Sequence, residues 1–328
     1  MVNKILIIGP AWVGDMVMAQ CLFKLIKQRN PDATIDVLAP AWSLPLLARM
    51  PEVANAIVMP IQHGELKLLA RYRLAKSLRA NRYDQAIVLA NSFKSALIPY
   101  WANIPLRTGW RGEMRYFLLN DVRILDKARY PLMIERFMAL GLPEGESLPM
   151  GYPLPELSVT KNTANQHEKI LVLCPGAEFG PAKRWPEEYY AEVANQKLAA
   201  GWKVWILGSV KDQPTAEKIN ALTQHRCEDF AGRTKLAEAV DLLAQATAVV
   251  SNDSGLMHIA AALRKPLIAV YGPTSASFTP PLHAEAKVLS LALKCQPCFQ
   301  RTCPLKHHRC MRELEPKQIL RALAEQVK

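Results

Sequence analysis

Four polar residues crowd the start of one small-residue helix in the stretch SNDSGLMHIAAAL, Ser251 to Leu263. Asp253, Ser254 and Gly255 follow the apolar run ATAVV, so they stand where a strand ends and a helix begins. Free backbone N–H groups at a helix start, with a serine hydroxyl beside them, suit an anion such as phosphate. Gly255 allows a ligand close to the backbone. His258 lies one turn into the helix on the Ser254 face, within reach of a phosphate or a sugar hydroxyl. The alternative for a helical histidine is a core residue with satisfied nitrogens.

Three further loops carry candidate chemistry. In CPGAEFGPAKRWPEEYY, Lys183 and Arg184 lie in a glycine-containing loop before a helix. They suit a phosphate, or they are two solvated cations. In ILGSVKDQP, Asp212 follows a strand; such an acid accepts from ribose hydroxyls or caps the next helix. In GPAWVGDMVMAQ, Asp15 sits where a helix begins. This loop lacks the Lys-Ser/Thr of a P-loop and the spacing of a dinucleotide fingerprint. A carboxylate there would repel phosphate from the positive helix end. Asp15 is therefore either a helix cap or a general base kept ionised by the helix terminus. The division suggests a nucleotide-linked donor in the second half, and a base with an anionic acceptor in the first.

These loops need elements to aim them, and the pattern supplies them. KILIIG, TIDVLA, AIVMP and YDQAIVLAN read as strands, with helices between them and another over FKSALIPYW. Continuous Val/Ile/Leu strands alternating with helices predict parallel sheets covered on both faces, hence an α/β class. The pattern pauses over residues 141–169, rich in Pro, Gly, Ser and Asn, and restarts at KILVLCPG. Two doubly wound domains are expected: 1–155, a linker 156–168, and 169–312, with a terminal helix in 313–328. Ligands in such sheets lie beyond the carboxyl ends of the strands.

The 328 residues carry a formal net charge of +12. The excess is uneven: residues 60–115 hold ten Lys and Arg against three acids. That clustering points to a specific anionic ligand; no zinc-finger, homeodomain or RNP pattern supports nucleic acid. No apolar run approaches a membrane span, and the apolar start is too short for a signal peptide, so a cytoplasmic protein resting on a membrane surface is expected. Of seven cysteines, Cys21, Cys174 and Cys227 read as core thiols. Cys295, Cys298, Cys303 and Cys310 crowd into CQPCFQRTCPLKHHRC. A structural zinc, reduced thiols and disulfides all remain open for them; a cytosolic setting disfavours the last.

The segments GPAWVGDMVMAQ, LAPAWSLPLLARMPEV, NSFKSALIPYWANIPLRTGWRGEMRY, LNDVRILDKARYPLM, CPGAEFGPAKRWP and SNDSGLMHIAAAL span nearly the whole chain. Together they resemble the ADP-heptose:lipopolysaccharide heptosyltransferases, glycosyltransferase family 9, and most closely the type II branch. The resemblance implies a GT-B fold, two Rossmann-like doubly wound domains facing a central cleft, the first binding acceptor and the second donor, with the terminal helix crossing back to the first. It implies inverting transfer of L-glycero-D-manno-heptose from ADP-L-glycero-D-manno-heptose, with no cofactor or metal for catalysis. The acceptor would be the first heptose of the lipopolysaccharide inner core on Kdo2-lipid A; the alternative is type I transfer onto Kdo2-lipid A, or another heptose acceptor. Asp15 matches the family's base and Lys183 the lysine on the donor's phosphates. Asp253, Ser254, Gly255 and His258 match its Asp-Thr/Ser-Gly-x-x-His donor motif, and Asp212 falls near its ribose acid. This chain has Glu178-Phe179 where some type I relatives carry consecutive threonines. Kdo carboxylates and lipid A phosphates would account for the basic first domain, with Lys94, Arg107, Arg111 and Arg115 as acceptor-binding candidates and the inner membrane's cytoplasmic face as a peripheral contact.

Overall fold

The computed structural model describes residues 2–62, 64–159 and 168–327. Most of the linker expected at 156–168 lies outside the described residues. The chain divides into two compact units, 1–155 and 156–328.

The first unit holds strands β1 (Lys4–Ile8), β2 (Thr34–Pro40), β3 (Asn55–Met59), β4 (Gln85–Val88), β5 (Leu106–Trp110) and β6 (Asp121–Arg123). Its helices are α1 (Val13–Arg29), α2 (Leu44–Leu47), α3 (Leu68–Leu78), α4 (Phe93–Trp101) and α5 (Met133–Ala139). All strand pairs are parallel, in the order β3-β2-β1-β4-β5-β6. β1 is apolar at successive positions because helices cover both faces of the sheet; Ile5 to Ile8 are buried. β5 and β6 are strands the hydrophobic pattern did not announce. Their residues are polar because they bond sideways: Gln85 Nε2 donates to Thr108 Oγ1, which donates to Asp121 Oδ2, each at 2.8 Å.

The second unit holds β7 (Ile170–Cys174), β8 (Lys203–Ile206), β9 (Glu228–Asp229), β10 (Ala248–Asn252), β11 (Leu267–Val270) and β12 (Lys287–Leu289). Its helices are α6 (Glu187–Ala199), α7 (Gln213–Leu222), α8 (Leu236–Gln245), α9 (Gly255–Ala262), α10 (Arg309–Arg312) and α11 (Pro316–Gln326). The parallel order is β12-β11-β10-β7-β8-β9. Counted from its own first strand, each sheet runs 3-2-1-4-5-6, the order of dinucleotide-binding sheets. Ala260, Ala261 and Ala262 are buried and let α9 lie close on β10 and β11.

The terminal helix departs from the expectation that it crosses to the first domain. Ile319, Ala322 and Leu323 of α11 join the core of the second unit, and the helix packs on α6 and β11. The i, i+3, i+4 stripe is the reason: it matches the apolar surface its own sheet offers, and burying each large side chain stabilises by about 2 kcal/mol.

Candidate functional site

In each sheet the strand order reverses between the first and fourth strands, and the loops after those strands form the crevice where such folds hold ligands. In the second unit those strands are β7 and β10. Lys183, on the single turn Pro181–Lys183 after β7, reaches across to Asp253 after β10. Its Nζ lies 2.6 Å from Asp253 Oδ2 and donates to the Asp253 carbonyl at 3.3 Å. Thr274 Oγ1 donates to the same carboxylate oxygen at 2.6 Å. Asp253 is only 4% exposed, so its charge is buried and paired from two sides. The ammonium also stands 5.1 Å from the Phe179 ring centroid, a cation–π placement.

One residue absent from the sequence reading as a site residue ties the crevice together. Asn252, the last residue of β10, is fully buried. Its Nδ2 donates to the Pro175 carbonyl at 2.7 Å, and its Oδ1 accepts from the Trp185 N–H at 3.2 Å and the Tyr190 hydroxyl at 3.0 Å. These bonds fix the β7 loop to the β10 end. The only signal in the sequence is a polar amide closing an otherwise apolar strand.

Ser254 is the N-cap residue of α9, but its hydroxyl makes no capping bond. It lies 3.2 Å from Ser251 Oγ instead. The first N–H groups of α9 have no intrahelical partners, which leaves them for an anion. His258 is 5% exposed, and burial pushes its imidazole down to about 4, against the pull of Asp253. At neutral pH it is uncharged, so it can offer a hydrogen bond but not a cation to a phosphate. Its Nδ1 is buried without a hydrogen-bond partner among the described residues.

Asp212 ends the turn Val210–Asp212, where its carboxylate accepts from the Ser209 N–H at 2.9 Å and the Ser209 hydroxyl at 2.7 Å. It therefore caps its own turn. It also lies against the β7 loop: a Cβ on Gly176 would lie 2.5 Å from Asp212 Oδ2, so any other residue there would push that carboxylate aside. Arg184 Nη2 lies 3.8 Å from its other oxygen.

In the first unit the corresponding loops follow β1 and β4. Trp12 is the N-cap of α1, and Asp15 is the third helical residue, half-buried in the first turn. Asp15 thus does not occupy the cap position; it stands beside the positive end of a 17-residue helix.

The four cationic acceptor candidates separate. Arg115 is 1% exposed and donates to the Ala90 and Trp110 carbonyls and to Asn91 Oδ1. It staples the loops after β4 and β5 and is not available to a ligand, a correction to the sequence reading. Arg107 lies near the start of β5, away from the carboxyl ends of the strands. Its guanidinium donates to the Leu118 and Ile104 carbonyls and stacks on Tyr100, which removes it as well. A linear count of cations cannot distinguish these from ligand-binding ones. Arg111, exposed at the carboxyl end of β5, and Lys94, half-buried in the first turn of α4, remain.

Around these two the first unit shows apolar surface. Leu66, Leu68, Leu69 and Tyr72 are exposed at the start of α3, as is Phe93 at the start of α4; Met114 and Phe117 are 81% and 89% exposed in the loop between β5 and β6. Hydrogen bonds hold the three segments together. Arg71 donates to the Glu65, Leu66 and Lys94 carbonyls, and the Phe93 N–H donates to Glu113 Oε2 at 2.6 Å. No helix among the described residues is long and apolar enough to cross a membrane.

The four clustered cysteines are free thiols. Among the described residues no group of three or more His, Cys, Asp or Glu side chains stands as a ready-made metal site.

Comparison with known proteins places these features. The model of glycosyltransferase family 9 (heptosyltransferase) matches residues 71–309. The lipopolysaccharide heptosyltransferase 2 of Salmonella typhimurium is 48% identical over 98% of this chain and 97% of its own length. The lipooligosaccharide heptosyltransferase 2 of Haemophilus ducreyi is 52% identical over 88% of each chain. The solved structure of the Escherichia coli ADP-heptose lps heptosyltransferase II superposes with a TM-score of 0.89 at 46% identity, covering 99% of this chain and 98% of that one.

Proposed function

The chain belongs to glycosyltransferase family 9, the heptosyltransferases, and from that premise we propose the donor, the acceptor and the chemistry of its reaction. It is a heptosyltransferase of the GT-B fold that transfers heptose to the lipopolysaccharide core. In our reading the donor is ADP-L-glycero-D-manno-heptose and the acceptor the first inner-core heptose on Kdo2-lipid A. The observation that carries the donor half is the meeting of Lys183 and Asp253 at the strand-order reversal of the second sheet, beside the open start of α9.

The proposed step is a single displacement that inverts the anomeric centre. Asp15 accepts the proton of the acceptor hydroxyl as that oxygen bonds to the anomeric carbon. The bond from that carbon to the diphosphate oxygen breaks, and ADP leaves with the electron pair. Lys183 and the first N–H groups of α9 neutralise the charge that develops on the diphosphate. In this reading Asp212, beside Gly176, accepts from a ribose hydroxyl with the lone pairs its own cap leaves free. His258, neutral, serves as a hydrogen-bonding partner near the same helix start.

The first unit's surface supports a peripheral position on the cytoplasmic face of the inner membrane. Exposed Leu68, Leu69, Met114 and Phe117 would contact acyl chains, while Arg111 and Lys94 would meet acceptor carboxylates and phosphates. The test is release of ADP from ADP-heptose in the presence of a heptose-terminated Kdo2-lipid A acceptor. Equal release without acceptor, or with Kdo2-lipid A lacking heptose, would defeat the assigned specificity.

A further inference from the structure

The cysteine-rich segment has no part in the reaction above, yet it is folded against the donor loops. Cys295, Cys298, Cys303 and Cys310 converge from across sixteen residues to line one small cavity of about 20 Å³, which Ala182 and His307 also border. Phe299, directly after the Cys-x-x-Cys pair, adopts φ 54°, turning the chain back so that both sulfurs face the same cavity. Two cationic side chains, Arg301 and Lys306, flank it in sequence, while Arg309 is paired with Glu313.

We infer that these four cysteines bind one soft divalent transition-metal ion, of the zinc or ferrous class, as a tetrathiolate clip that holds the donor loop in place. Four thiolate ligands in a closed tetrahedron are the donor set such ions take in structural sites, and thiolates select against magnesium and calcium. The four sulfurs line one cavity but do not stand as a ready-made ligand sphere among the described residues, so loading must draw them together. Four thiols give up four protons as the ion enters, leaving two negative charges for the flanking cations to balance.

The clip touches the donor side at both strand ends. The Ala182 N–H donates to the Arg301 carbonyl at 3.0 Å, and the Arg301 backbone closes so tightly on Gly180 that a Cβ there would collide with it. The Arg301 guanidinium lies 5.5 Å from the centroid of Phe179, the ring that also carries Lys183. Beyond β11, the Phe299 N–H donates to the Pro273 carbonyl at 2.7 Å and Gln296 Nε2 to the Gly272 carbonyl at 2.8 Å. Loosening the segment therefore frees the turn that presents Lys183. This consequence, unlike the metal site itself, rests on the proposed donor reading.

The test is metal analysis of the untagged chain purified under reducing conditions, followed by chelation and ADP calorimetry. About one equivalent of zinc or iron per chain is expected, lost in Cys298→Ser and Cys303→Ser and retained in Cys227→Ser. Removing the metal from the wild-type protein with a chelator should weaken ADP binding about tenfold, the share of one displaced hydrogen bond, with circular dichroism unchanged. A metal-free wild-type chain whose four cluster thiols all react with an alkylating agent, or are paired in disulfides, overturns the inference without reference to any variant. An undiminished ADP affinity after metal removal overturns the clip's action on the donor loop. If instead Lys183→Met leaves ADP affinity intact while the metal is present, the donor reading fails and the metal site stands.

Discussion

The two units share one strand order and differ in what they place where that order reverses. In the first, a carboxylate, Asp15, stands in the opening turn of a long helix. In the second, a carboxylate, Asp253, lies just before the helix and is already held by Lys183 and Thr274. The same scaffold thus gives one crevice that keeps a carboxylate near a positive helix end, and another that neutralises its acid and leaves the helix end open. The difference teaches that the topology fixes where chemistry occurs, while one or two side chains decide its sign.

The contrast can be broken most severely at Asp15. Asp15→Asn should lower turnover by about a hundred- to ten-thousand-fold, the range of a lost general base, and leave ADP affinity unchanged. Single-turnover kinetics beside calorimetry reads both; turnover near wild type would remove the base from the first unit.

The next effect belongs to the second unit and is one of stability. Burial holds the folded His258 near 4, below its unfolded value of about 6.5. Its contribution is therefore complete above pH ~6.5 and is lost as pH falls towards 4, amounting to roughly 3 kcal/mol at most. Urea unfolding at both pH values should show His258→Gln losing less stability on acidification than the wild type. Identical losses would mean the imidazole is not buried uncharged.

Lys183→Met should weaken ADP about ten- to a hundredfold, as expected for one charged hydrogen bond. It also strands the Asp253 carboxylate, so Lys183→Met/Asp253→Asn should recover stability without recovering affinity. Recovery of affinity in the double variant would show the pair to be structural only.

The smallest effect sharpens the first unit's surface. Arg111→Ala should raise the acceptor KM a few-fold, under about 1 kcal/mol, and more at low salt than at high. Arg107→Ala should leave that constant unchanged. The reverse result would return the acceptor's charge to the wrong end of the sheet.

Much of this was legible in the chain. Strand and helix alternation gave both sheets because buried parallel strands must be apolar throughout, and the repeat of KILIIG as KILVLCPG marked the second unit. Asp15, Lys183 and the Asp253–His258 set stood out because they follow strand ends, where doubly wound folds hold ligands. Strands β5 and β6, at one end of the first sheet, stayed hidden, since their polar residues satisfy one another sideways and leave no apolar pattern.

Sequence alone determined the class and the two-unit layout, and it marked the strand-end loops that carry the proposed donor site, because these depend on local periodicity and on residue types at element ends. Only the tertiary structure decided which cations are free and which are tied. Arg115 and Arg107 read the same as Arg111 in a composition count, yet they are held by backbone carbonyls that lie 25 and 11 residues away along the chain. It also decided that the terminal helix lies on its own unit and that four cysteines share one cavity. Those outcomes rest on contacts between distant segments, and a linear pattern carries no distance across space.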